Sequence, residues 1–362
     1  MKPRMSVARC CCQPSLVGAI YGTDIYGRQL PPHPSLIAFK SLNGNLLWHF
    51  APTTTSSASG IYLRNDKCWV YGKKLANFNA PRFMWILDAG NGSQLVEQEL
   101  STESKTSGNL SSGFMEPSGT GYFAVPAAVV DSTDVYKVYL FDEAGNFVWR
   151  AKYDGDGLVP EPDVRDCTVT SDAVWVTGTR RAFGGLGVDT VTKYDITNGN
   201  ELLTADMTNT GVSIHALQNG NIAVADFGTG TAFNRSTLFV FSPEGAELFR
   251  IETDPPFRSA QRSMSPDADS NIYNAGDIPG GVPIIKYSPS LVEIWRRPQP
   301  LPQQPVPVFE HLAVSGDGFA YGNAGLTVWR VPTDAGDPAD IVLEGIDPND
   351  IETEPGRAAW LP

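Results

Sequence analysis

An all-β chain of repeated four-stranded units is predicted by three observations. Turn-forming residues are dense, with Gly 35 and Pro 28 in 362 residues, and no stretch sustains a 3.6-residue apolar period. Apolar residues make up 41% and charged residues 19%, enough apolar material for a large core. Above all, one short hairpin pattern recurs along the chain at a near-constant interval.

The clearest copies are Ser35–Trp48, Phe83–Val96 and Tyr136–Trp149, followed by weaker ones at Thr190–Leu203, Ser236–Phe249 and Val282–Trp295. Each has an apolar strand, a short polar turn and a second strand with a large apolar residue, the ordinary signals of a hairpin. In the first five copies that residue stands four places after a turn glycine: Gly44, Gly92, Gly145, Gly199 and Gly245. In the sixth, Leu291 replaces the glycine. The landmarks Trp48, Val96, Trp149, Leu203, Phe249 and Trp295 are spaced by 48, 53, 54, 46 and 46 residues. A further step of 46 reaches Ile341, where a seventh hairpin from Leu326 to Leu343 has a longer turn.

A shorter hairpin precedes these, marked by turns at Asn65-Asp66, Ser171-Asp172, Asn219-Gly220, Asp269-Ser270 and Gly316-Asp317-Gly318. Each unit thus contains four strands, A to D in chain order, the composition of a propeller blade. The expected architecture is one all-β domain over 1–362, a seven-bladed β-propeller of four-stranded antiparallel blades.

The segment Tyr139-Leu140-Phe141-Asp142-Glu143-Ala144-Gly145-Asn146-Phe147-Val148-Trp149 resembles the repeat of quinoprotein-type (PQQ-like) propellers, among WD40-like propeller repeats generally. The resemblance runs over most of the chain and implies the propeller. Quinoprotein dehydrogenases hold quinone and calcium through converging acidic and amide residues in a channel. That set has no residue-by-residue counterpart here, so no cofactor is carried over.

A propeller must join its first and last blades or leave a strand edge open. Strand A of later blades is centred near Cys167 and Ala313, each 18 residues past a landmark, and 18 past Ile341 is Ala359. The C-terminal stretch 357–361 is therefore expected to supply strand A of the first blade. The competing reading places Ser6–Cys10 there.

In a four-stranded meander the A–B and C–D turns share one face, and the B–C and D–A connections share the other. The long segments Ala51–Ser59, Lys73–Pro81, Tyr153–Pro162, Gly178–Asp189, Gly228–Arg235, Asp254–Gln261 and Arg296–Val308 are all B–C or D–A. Loops on a rigid scaffold are where binding is placed, so that face is the expected working face. The residues expected to bind are Arg258, Gln261, Arg296, Arg297, Pro300 and Pro305. The proline-rich run from Arg296 to Pro305 is stiff and extended, either a docking arm or a rigid connector.

Composition narrows the partner. A net charge of −13 disfavours nucleic acid and anionic membrane surfaces, and no run reaches membrane-spanning length. A protein partner or larger assembly is expected, such as a virus particle or surface complex, with a glycan as a further class. Arg9 and Gln13 interrupt any N-terminal apolar run, so no secretory signal is expected. The five cysteines, Cys10, Cys11, Cys12, Cys68 and Cys167, suit neither a disulfide framework nor a zinc site by spacing.

Chemistry is thinly represented. His33, His49, His215 and His311 are the only histidines. His215 and His311 fall on expected A strands, with Glu310 beside the latter, but two histidines do not make a metal site. There is no G-x-S-x-G elbow, and Phe183-Gly184-Gly185-Leu186-Gly187 lacks the Lys-Ser/Thr of a phosphate loop. Asp154/Asp156 and Asp267/Asp269 sit in turns that favour Asp for local hydrogen bonds. No metal is expected. The reading is a non-enzymatic recognition or scaffold module; the alternative is a channel-mouth hydrolase, lyase or quinoprotein-like oxidoreductase.

Overall fold

A computed structural model of the chain describes residues 16–20, 37–40, 46–50, 57–64, 67–74, 82–88, 90–99, 116–117, 122–131, 134–142, 144–153, 163–181, 187–207, 210–227, 237–252, 264–275, 284–297, 309–314, 319–324, 327–334, 340–343 and 355–360. Among these there is no helix. The strands pair into four-stranded antiparallel sheets.

The first sheet joins both ends of the chain. β1 (Leu16–Ile20), β2 (Ile37–Lys40) and β3 (Leu46–Phe50) follow each other, and the final strand, β28 (Pro355–Trp360), pairs with β1. Val17 stands opposite Ala359 and Leu16 opposite Trp360. The next sheet is β4 (Ser57–Arg64), β5 (Lys67–Lys73), β6 (Arg82–Asp88) and β7 (Gln94–Glu99). It is followed by β8 (Glu116–Pro117), β9 (Tyr122–Asp131), β10 (Asp134–Asp142) and β11 (Phe147–Lys152).

The next two sheets are β12 (Asp163–Val169), β13 (Ala173–Arg181), β14 (Gly187–Asp195) and β15 (Glu201–Asp206), then β16 (Thr210–Ala216), β17 (Ile222–Phe227), β18 (Thr237–Phe241) and β19 (Glu247–Glu252). After these come β20 (Met264–Pro266), β21 (Ile272–Ala275), β22 (Ile284–Tyr287) and β23 (Glu293–Arg297). The last sheet is β24 (Phe309–Val314), β25 (Phe319–Ala324), β26 (Thr327–Pro332) and β27 (Asp340–Leu343). Each sheet is a blade, with its strands lettered A to D in sheet order.

The core lies between blades. Strands B and C read as nearly unbroken apolar runs because both of their faces are covered. Trp69, Trp85, Trp175, Tyr139 and Tyr194 are fully buried. One cluster draws Trp149 and Tyr153 from β11 and its end together with Cys167, Val174 and Tyr194 of the next blade. Another joins Trp175 and Val191 to Ile222, Phe239 and Phe241 one blade further on.

The C–D turns explain the repeat. The first turn residue, Asp88, Asp142, Asp195, Ser242 or Ser288, accepts backbone N–H bonds from within its own turn. This is the local bonding that favours Asp and Ser in turns. Four residues before each landmark, Gly92, Gly145, Gly199 and Gly245 take φ of 73°, 87°, 72° and 86°. Leu291 holds the same left-handed position at φ 59°, against the steric preference of a side chain.

Two sequence expectations change. The segment 178–189 is mostly strand, since β13 and β14 pair through to Arg181 and Gly187, leaving only 182–186 as connection. Of the tryptophans expected at equivalent packed positions, Trp149 is buried and Trp295 is half-buried; the side chain of Trp48 lies outside the described residues.

Candidate functional site

The connections are unequal at the two ends of the strands. Along β12 to β23 the A–B and C–D turns are tight, spanning 170–172, 196–200, 217–221, 242–246, 267–271 and 288–292. The B–C and D–A connections include 21–36, 74–81, 100–115, 228–236, 253–263, 276–283, 298–308 and 344–354. Exceptions exist: the B–C connections 132–133 and 325–326 and the D–A connection 207–209 are short, and the C–D turn 333–339 is longer. The excess still falls at one end.

At the other end, the tight-turn face, polar side chains tie blade to blade. Lys193 Nζ donates to Asp172 Oδ2 of its own A–B turn at 2.9 Å and to Pro243 O of the next C–D turn at 3.0 Å. It also lies 5.3 Å from the Trp175 ring centre, a favourable cation–π distance. Lys286 repeats the arrangement two blades on, 3.4 Å from Asp267 and donating to Thr333 O at 3.1 Å. Asn219 N donates to Ser270 Oγ between successive A–B turns. Partial burial pushes the Asp172 carboxyl up, but hydrogen bonds from Lys193 and Thr170 outweigh it, and the net shift is downward.

The inner A strands carry a second set of ties. An A strand is the edge of its sheet, so its inward N–H groups need acceptors. Asp166 Oδ2 accepts from Ile214 N of the next A strand at 3.1 Å, and Thr168 Oγ1 accepts from Ala216 N at 3.0 Å. Ser265 Oγ does the same for Val314 N at 3.1 Å. Asp166 and Thr168 are buried; their polar atoms are engaged in holding strands together.

His215 lies on β16 and His311 on β24, with β20 packed between those strands. Among the described residues no group of three or more His, Cys, Asp or Glu side chains converges as a metal site would. Asp267 is a turn acceptor, bonded by Asp269 N, Asn271 N and Tyr273 OH. Burial and the Asp267 charge both push the Tyr273 phenol up. Cys68 and Cys167 are buried and in no disulfide, and burial raises the Cys68 thiol well above its usual range, leaving it inert.

Of the residues expected to bind, Arg296 and Arg297 belong to β23. Arg296 pairs with Glu293 at 2.9 Å. Arg297 stacks 5.0 Å from the Trp295 ring centre and donates to Asp334 O. Both contacts are within the fold. Arg258, Gln261, Pro300 and Pro305 lie outside the described residues, as do Asp154, Asp156, Cys10, Cys11 and Cys12. The lysine ties were missed from sequence. Their signal was a lysine inside an apolar strand C, in VTKYD and IIKYS.

No family model and no curated protein matches the chain. Among solved structures, hydrazine synthase from Kuenenia stuttgartiensis aligns at TM-score 0.59 and 11% identity, over 87% of this chain and 100% of that one. A catalytically inactive virginiamycin B lyase from Staphylococcus aureus, solved with quinupristin, aligns at TM-score 0.51 and 12% identity, over 81% and 86%. Hsv2 from Kluyveromyces lactis aligns at TM-score 0.51 and 10% identity, over 78% and 76%. At such identities the likeness shows the fold alone: the chain is an all-β protein of the β-propeller kind.

Proposed function

We propose that this chain is a seven-bladed β-propeller, a single domain closed by β28 on β1, that acts as a non-catalytic recognition or scaffold module. Its working surface is the end bearing the B–C and D–A connections. The observation that carries this reading is the division of labour between the two ends. The tight-turn end is committed to inter-blade bonds from Lys193, Lys286, Ser270 and Trp149. The opposite end holds most of the chain length that the ring does not need.

The acidic balance favours a neutral or basic protein partner, or a glycan, over nucleic acid. Several neighbouring loops can present the roughly 800 Å² per partner of a standard interface. A place in a larger particle or surface assembly suits such a module. The segments 254–261 and 298–305, with Arg258, Gln261, Pro300 and Pro305, are the proposed contact regions.

The test replaces both segments with short Gly/Ser linkers and measures β circular dichroism and association with the native partner. The β signal is expected to persist while association is lost. Association that survives the swap, and is lost instead on altering the turns at Gly92 and Gly145, would reverse the assignment.

A further inference from the structure

The inner A strands are laced together by a rule that one blade boundary breaks. Leu217 N donates to Asn221 O and Asp267 N to Asn271 O across the A–B turns. Alternate amide positions therefore turn away from strand B, those of Ile214 and Ala216 on β16 and of Met264 and Pro266 on β20. At the boundary of β12 with β16 these amides are met: Asp166 accepts from Ile214 N and Thr168 from Ala216 N.

On β16, Ser213 and His215 hold the places of Asp166 and Thr168, three residues and one residue before the last pairing with strand B. Neither makes the corresponding bond to β20. Ser213 is buried, yet its Oγ has no hydrogen-bond partner, so Met264 N receives nothing from it. The amide that His215 would receive belongs to Pro266, which has no N–H to give. One boundary on, the tie returns, with Ser265 accepting from Val314 N.

Two further ties are replaced at the same boundary. Lys193, Val240 and Lys286 each stand opposite the landmark of their own blade. The lysines donate to Pro243 O and Thr333 O in the next C–D turn, which Val240 cannot do. Earlier landmarks also seat on a bare left-handed glycine of the next C–D turn: Val96 on Gly145, Trp149 on Gly199 and Leu203 on Gly245. The turn after β22 carries Leu291 at that position.

We propose that the boundary between the blade of β16–β19 and the blade of β20–β23 is a seam at which the ring opens without global unfolding. The seam keeps the bond from Asn219 N to Ser270 Oγ and an apolar cluster of Leu217, Leu238 and Val240 against Met264, Tyr287 and Leu291. Apolar contact is non-directional, so it holds the blades together while letting one shift against the other, as packed elements do in shear motions. The connection 253–263 joins these two blades and includes the segment 254–261 proposed above as a contact region. A movable seam makes that part of the working face adjustable. This consequence rests on the reading of the face; the seam itself does not.

The test is thiol labelling of the folded full chain, because Cys167, Ile214 and Met264 are equivalent A-strand positions, each two residues before the last pairing with strand B. All three are buried, and they face three successive boundaries. Native Cys167, Ile214→Cys and Met264→Cys are alkylated with iodoacetamide and followed peptide by peptide by mass spectrometry. Met264→Cys is expected to react about tenfold or more faster than the other two, since it needs only local opening. Ile214→Cys is the control for truncation of a buried side chain. Adding Ser213→Asp, which supplies the carboxylate that Asp166 supplies one boundary earlier, should slow Met264→Cys and leave Ile214→Cys unchanged. Equal rates at the three positions, or a Met264→Cys rate that follows global unfolding in denaturant, overturns the proposal. So does an unslowed Met264→Cys in a Ser213→Asp chain with native β circular dichroism.

Discussion

Trp149 and Gly199 belong to neighbouring blades and define each other's place. The indole Nε1 donates to Ile196 O at 2.8 Å, and its ring lies where a Cβ on Gly199 would come within 2.7 Å. Two features of the sequence repeat, the turn glycine and the large residue four places on, thus meet across a blade boundary. The glycine of one copy receives the landmark of the copy before it.

Gly199→Ala should therefore cost more than a left-handed conformation alone. The conformation costs about 1–2 kcal/mol for a residue with a side chain, and forcing atoms into a packed contact adds about 1–3 kcal/mol. Gly220 is the control: its φ is 86°, but its added Cβ would meet nothing nearer than 3.8 Å. Chemical denaturation should show Gly199→Ala losing about 2–5 kcal/mol and Gly220→Ala about 1–2 kcal/mol. Equal losses would mean that the Trp149 seat contributes nothing.

At Leu291 two effects oppose each other. Glycine would relieve the left-handed strain at φ 59°, about 1–2 kcal/mol. It would also empty a buried leucine site, which costs about 2–5 kcal/mol for Leu→Ala. The cavity term is the larger, so Leu291→Gly should lower the denaturation midpoint. A stabilised variant would show that Leu291 is poorly packed.

The Asp172–Lys193 contact gives a pH dependence with a definite sign. The Asp172 carboxyl is lowered in the folded chain, because the Lys193 and Thr170 hydrogen bonds outweigh burial. A depressed folded value stabilises the fold above the ordinary carboxylate pKa, about 3.9. That contribution is lost as pH falls through the folded value. Asp172 is largely exposed, so solvent keeps the effect small. Unfolding followed from pH 6 to pH 2.5 should show a shallower acid loss in Asp172→Asn than in the native chain. An identical slope would remove Asp172 from the account.

Much of the fold was legible because the repeat is local. The alternation and turn chemistry of FMWILDAGNGSQLV or YLFDEAGNFVW fix a hairpin without help from the rest of the chain. Strand boundaries near 178–189 were misjudged because Gly178, Gly184 and Gly185 read as a loop, while pairing through Arg181↔Gly187 carries the strands further. The candidate surfaces were less legible. Arg296 and Arg297 look available in sequence, yet Glu293, Trp295 and Asp334 engage them. Lys193 looks misplaced in an apolar strand until Asp172 and Pro243 O are brought to it by the fold. Leu291 shows in sequence only as a missing glycine; that it holds a buried, left-handed turn position is visible only in the fold.

A single working face requires a closed ring, and closure rests on β28 lying beside β1. The direct measurement is thermal unfolding of the chain with and without residues 357–362, followed by β circular dichroism. Removing them strips Trp360, Ala359 and Ala358 from their places opposite Leu16, Val17 and Gly18 and opens a strand edge. A lower melting temperature is predicted, with partial recovery when a peptide of residues 355–362 is added in excess. An unchanged melting temperature would contradict closure by the C-terminal strand and return the role to Ser6–Cys10.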